Sequence, residues 1–77
     1  MKQTKAPVQN EGSFGQFIQV RRTQLNLTQD EVAVRAGTTQ GYLSKVEKGQ
    51  REPTLTLALK LCEVLGLDIN DYAATQL

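Results

Sequence analysis

The stretch Thr28-Gln29-Asp30-Glu31-Val32-Ala33-Val34-Arg35-Ala36-Gly37-Thr38-Thr39-Gln40-Gly41-Tyr42-Leu43-Ser44-Lys45-Val46-Glu47-Lys48-Gly49 decides how this chain folds. It opens on a T-x-x-E capping box, Thr28 to Glu31, with Asp30 and Glu31 in the positive first turn of a helix. Val32, Ala33 and Ala36 then share one apolar face, and Gly37 stops the helix after about eight residues, Gln29 to Ala36. Thr38 or Thr39 caps a further helix in which Leu43 and Val46 face inward, and Gly49 ends it.

The same signals recur on either side. Ser13-Phe14-Gly15-Gln16 has the S-x-x-Q form of a capping box. Phe14, Phe17, Ile18, Arg21 or Arg22, and Leu25 follow at helical spacing, so a first helix is expected over Phe14 to Gln24, with Asn26 in the left-handed conformation at its end. After the loop Gln50-Arg51-Glu52-Pro53, Thr54 caps a fourth helix with Leu55, Ala58, Leu61, Cys62 and Leu65 as its buried stripe and Gly66 as its stop. Asp68 caps a short fifth helix carrying Ile69 and Tyr72. No segment reads as a strand, so the expected class is all-α with five short helices. Residues 1–12 hold too little apolar surface to order themselves and read as a flexible tail, leaving 13–77 as the domain.

Composition narrows the function. A chain of 77 residues buries a modest core and needs close helix packing, staples or a partner. One cysteine, Cys62, allows no internal disulfide, and with no histidine a structural metal site is not expected. Without histidine there is no Ser-His-Asp triad or Cys-His pair, and no glycine-rich phosphate loop is present, so no enzyme and no cofactor is expected. The N-terminal MKQTKAPVQNEGS lacks a signal peptide's apolar run, and no segment has a membrane helix's length. An unpaired thiol, which is expected to be buried and inert on helix 4, fits a cytoplasmic location. The net charge of +1, read globally, argues against a nucleic-acid partner.

Two short helices joined through Ala36-Gly37-Thr38 match a helix-turn-helix, whose second helix enters the DNA major groove. Leu27-Thr28-Gln29, Ala33, Gly37, Leu43-Ser44, Val46-Glu47, Gly49, Pro53 and Leu65-Gly66 together resemble the phage-repressor family of Cro and C1 type, the XRE family, over roughly residues 14–72. That resemblance implies a lambda-repressor-like five-helix domain. It also places Gln40, Gly41, Ser44 and Lys45 against bases, and Gln29, Thr39, Tyr42, Lys48 and Arg51 against phosphates. Gln40 has the chemistry to bond adenine N6 and N7, and Lys45 to donate to guanine. Tyr42 equally suits covering the apolar edge of helix 3. Arg22 and Glu47 match a family ion pair tying helix 1 to helix 3. Gly41 stands where many relatives present a polar side chain, which shifts some specificity toward DNA shape.

Charge is polarised along the chain. Residues 21–51 carry Arg21, Arg22, Arg35, Lys45, Lys48 and Arg51 against Asp30, Glu31 and Glu47, a net +3, and the remainder carries −2. A local basic surface is what phosphate binding requires. Leu67, Ile69, Tyr72 and Leu77 either close the monomer's core or form a patch for a second copy. The expected function is a sequence-specific regulator, a repressor, reading an inverted repeat as a homodimer without cofactor. An antitoxin that also binds a toxin, a restriction–modification controller and a helical protein-interaction module without DNA binding are the alternatives.

Overall fold

The computed structural model describes residues 13–75, and the tail expected over 1–12, like Leu77, lies outside them. Five helices follow in order: α1 (Phe14–Gln24), α2 (Gln29–Ala36), α3 (Gln40–Glu47), α4 (Leu55–Leu65) and α5 (Ile69–Thr75). No strand occurs among the described residues.

Hydroxyl caps start the first four helices. Ser13 Oγ accepts from the Gln16 N–H at 3.1 Å, Thr28 Oγ1 from Glu31 at 3.0 Å, and Thr39 and Thr54 from Tyr42 and Leu57 at 3.2 Å each. The capping box at α2 is reciprocal, since the Glu31 carboxylate accepts from the Thr28 N–H at 2.8 Å. Thr39, not Thr38, is the α3 cap. At the other ends one motif recurs: Leu27, Thr38, Gln50 and Leu67 donate back five residues to Arg22, Ala33, Lys45 and Cys62. This closure needs a left-handed residue, which is Asn26 (φ 58°) after α1 and Gly37 (φ 79°) after α2.

Ile18, Val32, Ala33, Ala36, Leu43, Leu61, Cys62 and Leu65 form the core, with α2 and α3 packed against each other and against α1 or α4. Two apolar residues depart from the sequence expectation. Leu55 is 71% exposed, because the inward row of α4 runs past the edge of the core one turn before Ala58. Leu25 is 39% exposed, because the left-handed turn at Asn26 redirects the chain and seats Leu27 against the core instead. The Cys62 thiol is buried, and desolvation, then the charge of Asp68, pushes its pKa up, which disfavours the reactive thiolate. No described helix is long and apolar enough to cross a membrane.

The seam between α1 and α3 brings two backbones to a separation that a side chain would block. Gly15 is buried, and a Cβ there would overlap the Val46 carbonyl oxygen. Gly41 is helical and exposed, and a Cβ there meets nothing within 4 Å. Gly15→Ala is therefore expected to cost about 3 kcal/mol in urea denaturation, from forced separation of two backbones. Gly41→Ala is expected to add up to about 1 kcal/mol. Equal effects of the two would refute this packing.

The capping box carries its own pH signature. The backbone N–H of Thr28, then its hydroxyl, hold the exposed Glu31 carboxyl below its ordinary pKa. A depressed folded-state pKa stabilises above the unfolded value and loses that contribution as pH falls through the folded one. Thermal melts of Glu31→Gln are thus expected to lose part of the parent's decline on the acid side, in the glutamate titration range.

Candidate nucleic-acid interface

At the turn between α2 and α3, Ala33 and Ala36 are buried and Gly37 reverses the chain without a Cβ. Thr38 then closes on Ala33 O at 2.9 Å, and Thr39 starts α3. Leu43, Val46 and Glu47 point into the molecule. The outer side of α3 consists of two adjacent rows, Gln40-Ser44-Lys48 and Gly41-Lys45, in which Ser44 is half-buried and the rest are exposed. The helix has one acid, Glu47, and it is buried, so no carboxylate opposes an anion on the outer rows.

Beneath these rows lies a chain of polar contacts. Arg22 donates from Nε to Glu47 Oε2 at 2.7 Å and from Nη2 to Oε1 at 3.0 Å, with the Glu47 side chain 1% exposed. Arg22 Nη1 also donates to Leu27 O at 2.8 Å, so one guanidinium joins α1, the α1–α2 turn and the end of α3. Gln29 Nε2 donates to Glu47 Oε1 at 2.9 Å, and Gln40 Nε2 donates to Gln29 Oε1 at 2.6 Å. Both glutamines occupy the first position of their helices, each directly after a capping threonine.

The remaining expected site residues are distributed around this network. Thr39 is exposed, and its hydroxyl oxygen accepts from the Tyr42 N–H. Tyr42 is half-buried, and its hydroxyl donates to Glu52 O at 3.5 Å, leaning α3 on the loop that also carries the exposed Arg51. Lys48 is exposed at the end of α3. Arg21, counted with the basic stretch, is instead directed away from α3. Its Nε donates to Leu65 O at 3.0 Å and caps the end of α4, where the helix dipole favours a cation.

Leu67 and Ile69 pack against the edge of the core, and the Tyr72 ring meets Phe14 edge-on at 5.4 Å and Phe17 at 5.5 Å. Those three side chains hold α5 to its own chain, while Leu59 and Leu55 of α4 remain exposed. Residue reading missed two features. Gly15 is required by the α1–α3 seam, and Gln29 is bonded to Gln40. The one sequence feature the two glutamines share is their position directly after a capping threonine, which by itself does not pair them.

Short helices joined by a glycine turn, with a polar face on the second, define a helix-turn-helix DNA-binding domain. A helix-turn-helix family profile matches residues 18–72, and the chain belongs to this family, in its Cro/C1-type, XRE branch. It is 43% identical over 51 residues to y4dJ of Sinorhizobium fredii, an uncharacterized HTH-type transcriptional regulator, covering 66% of this chain and 65% of that protein. Two archaeal proteins described in the same words are also similar. One, from Methanothermobacter thermautotrophicus, is 41% identical over 50 residues, 65% of this chain and 72% of the relative. The other, MJ0272 of Methanocaldococcus jannaschii, is 37% identical over 46 residues, 60% of this chain and 70% of the relative. The chain thus spans somewhat less than two thirds of the Sinorhizobium protein's length.

Removing either member of the Arg22–Glu47 pair leaves a buried charge uncompensated. Arg22→Met and Glu47→Leu are each expected to cost about 3–5 kcal/mol. The double variant should cost clearly less than the two together, and additive losses in a denaturant-based double-mutant cycle would show that the pair is not coupled.

Proposed function

We propose that this chain is a sequence-specific transcriptional repressor that reads an inverted-repeat operator as a homodimer, with α3 in the major groove. The observation that carries this reading is the division of α3 into a core face of Leu43, Val46 and Glu47 and an outer face of amide, hydroxyl and ammonium groups. Gln40, Gly41, Ser44 and Lys45 meet base edges in this reading. Gln29, Thr39, Tyr42, Lys48 and Arg51 meet the flanking phosphates, which supply most of the affinity. A helical module that had lost DNA binding would have no need to keep acids off this face.

One helix of eight residues offers few base contacts, and a two-fold pair supplies two half-sites about 34–36 Å apart. The face that pairs combines the exposed Leu55 and Leu59 with the α5 region, where Leu67, Ile69 and Tyr72 line the edge. Leu55, Pro53, Ile69 and Tyr72 border one groove there, open to a second copy. No cofactor takes part, and the buried thiol suits a reducing cytoplasm.

Selection of bound fragments from random DNA should return an inverted repeat. On that operator, Gln40→Ala and Lys45→Ala are each expected to cost about 1–3 kcal/mol and to relax preference at one base pair. Arg51→Ala should weaken binding to all sequences alike and lower the salt slope by about one unit. If all three bind like the parent, the surface assigned here is the wrong one.

A further inference from the structure

We propose that Gly41 and Ser44 form a notch in the outer face of α3 that takes the edge of a thymine, with its C5-methyl group over Gly41 and its O4 on the Ser44 hydroxyl. This rests on the reading that α3 lies in the major groove, and it names the base that this part of the helix selects.

Four of the five described glycines answer to a need inside the molecule. Gly37, Gly49 and Gly66 take a positive φ, and Gly15 makes room for the Val46 carbonyl. Gly41 does neither. It is the second residue of α3, its φ is not positive, and a Cβ there would meet nothing within 4 Å. A glycine within a helix destabilises it relative to alanine, and no contact inside the chain offsets this. The space that the missing side chain leaves is open only toward the outside, between Gln40, Ser44 and Lys45.

Ser44 supplies the other half. It stands three residues after Gly41, so the two are neighbours on the helix surface. Side chains on a helix lean toward its N-terminus, which sets the Ser44 hydroxyl beside the opening at Gly41. A helical serine or threonine commonly bonds back to a carbonyl of the preceding turn, as Thr23 does to Gln19 O and Val20 O at 3.1 and 2.9 Å. Ser44 does not. Among the described residues its hydroxyl has no hydrogen bond, although the residue is half-buried. The notch therefore sets a methyl-sized gap beside a hydroxyl that is ready to donate. Thymine presents the complement in the major groove, a methyl group next to the acceptor O4. Cytosine has no methyl group and offers the N4 donor, and the purines carry no methyl group there. Serine is also too short to reach a base edge unless the helix is seated closely, and a side chain at position 41 would hold it off.

The experiment uses the full chain and operator fragments in which each thymine in turn is replaced by uracil, which lacks only the methyl group, in competition binding. The parent is expected to lose affinity about fourfold at a thymine in each half-site, the value of one buried methyl group. Gly41→Ala fills the notch. It should melt no lower than the parent, bind the thymine operator about tenfold more weakly, and show no penalty for uracil at that position. Ser44→Ala should weaken binding about fivefold, the scale of one hydrogen bond, and keep the uracil penalty. If no uracil replacement weakens the parent, or Gly41→Ala binds the thymine operator like the parent or keeps the penalty, the notch is overturned. If Ser44→Ala binds like the parent, the bond to O4 is overturned. The groove reading is judged separately by Gln40→Ala and Lys45→Ala. A relaxed base preference in either keeps that reading even where the notch fails, and none in both sinks the reading and the notch with it.

Discussion

Glu47 is a carboxylate at 1% side-chain exposure, and a charge so placed is tolerable only when its acceptors are filled. Arg22 supplies two donors and Gln29 a third, so the desolvation cost is offset by charge-assisted bonds of good geometry. The same guanidinium holds Leu27 O. In consequence the end of α1, the turn into α2, the first residue of α2 and the last turn of α3 form one unit. The Gly15–Val46 approach lies on the same α1–α3 seam, so a close backbone contact and the ion pair secure one interface. The crossing of α2 and α3, which decides what α3 presents, is set there.

Helices of eight residues are too short to persist alone, so α2 and α3 exist because their ends are capped and their inner faces are buried. This arrangement leaves the outer face of α3 outside the core, joined to α2 through the Gln40–Gln29 bond. Leu43 and Val46 fill the core, Glu47 joins the ion pair, and none of Gln40, Gly41 and Lys45 contributes to the core. Gly41 shows the separation most clearly. It sits in a helix with room for a side chain and no unusual backbone angle, so its entropic cost in the free chain has no internal compensation.

The five helices were legible because their signals are local. Thr28 with Glu31, Thr39 before Gln40, and Gly37 after Ala36 each act within four residues, and the apolar spacing of Val32, Ala33 and Ala36 names a buried face directly. What escaped the sequence depends on where elements end or cross. Leu55 has the spacing of a core residue but stands beyond the core's edge, and Leu25 precedes a turn that gives its place to Leu27. Arg21 and Arg22 are adjacent and chemically identical. Position on α1 sends one to the end of α4 and the other to Glu47. Of the candidate site, the outer rows of α3 were readable from period alone, whereas the Gln29–Gln40 bond joins residues eleven apart on crossing helices and needed their angle.

A net charge of +1 describes this chain poorly because its charges are not equally available. Arg22 and Glu47 neutralise each other inside, Arg21 serves the end of α4, and the Glu31 carboxylate is occupied by the α2 cap. Lys45, Lys48 and Arg51 are left exposed at and just beyond α3, together with Arg35 on α2, and the exposed acids of the same segments, Glu31 aside, are Asp30 on α2 and Glu52 beside Arg51. Within a Debye length of about 10 Å, a phosphate near α3 responds to these groups and hardly to acids on α4 and α5. Folding therefore produces the basic surface, by withdrawing the acid of α3 from it. Had Glu47 stayed outside, it would have stood beside Lys48 and offset its charge. The pair that stabilises the helix-turn-helix thus also keeps the one acid of α3 away from the lysines of its outer face.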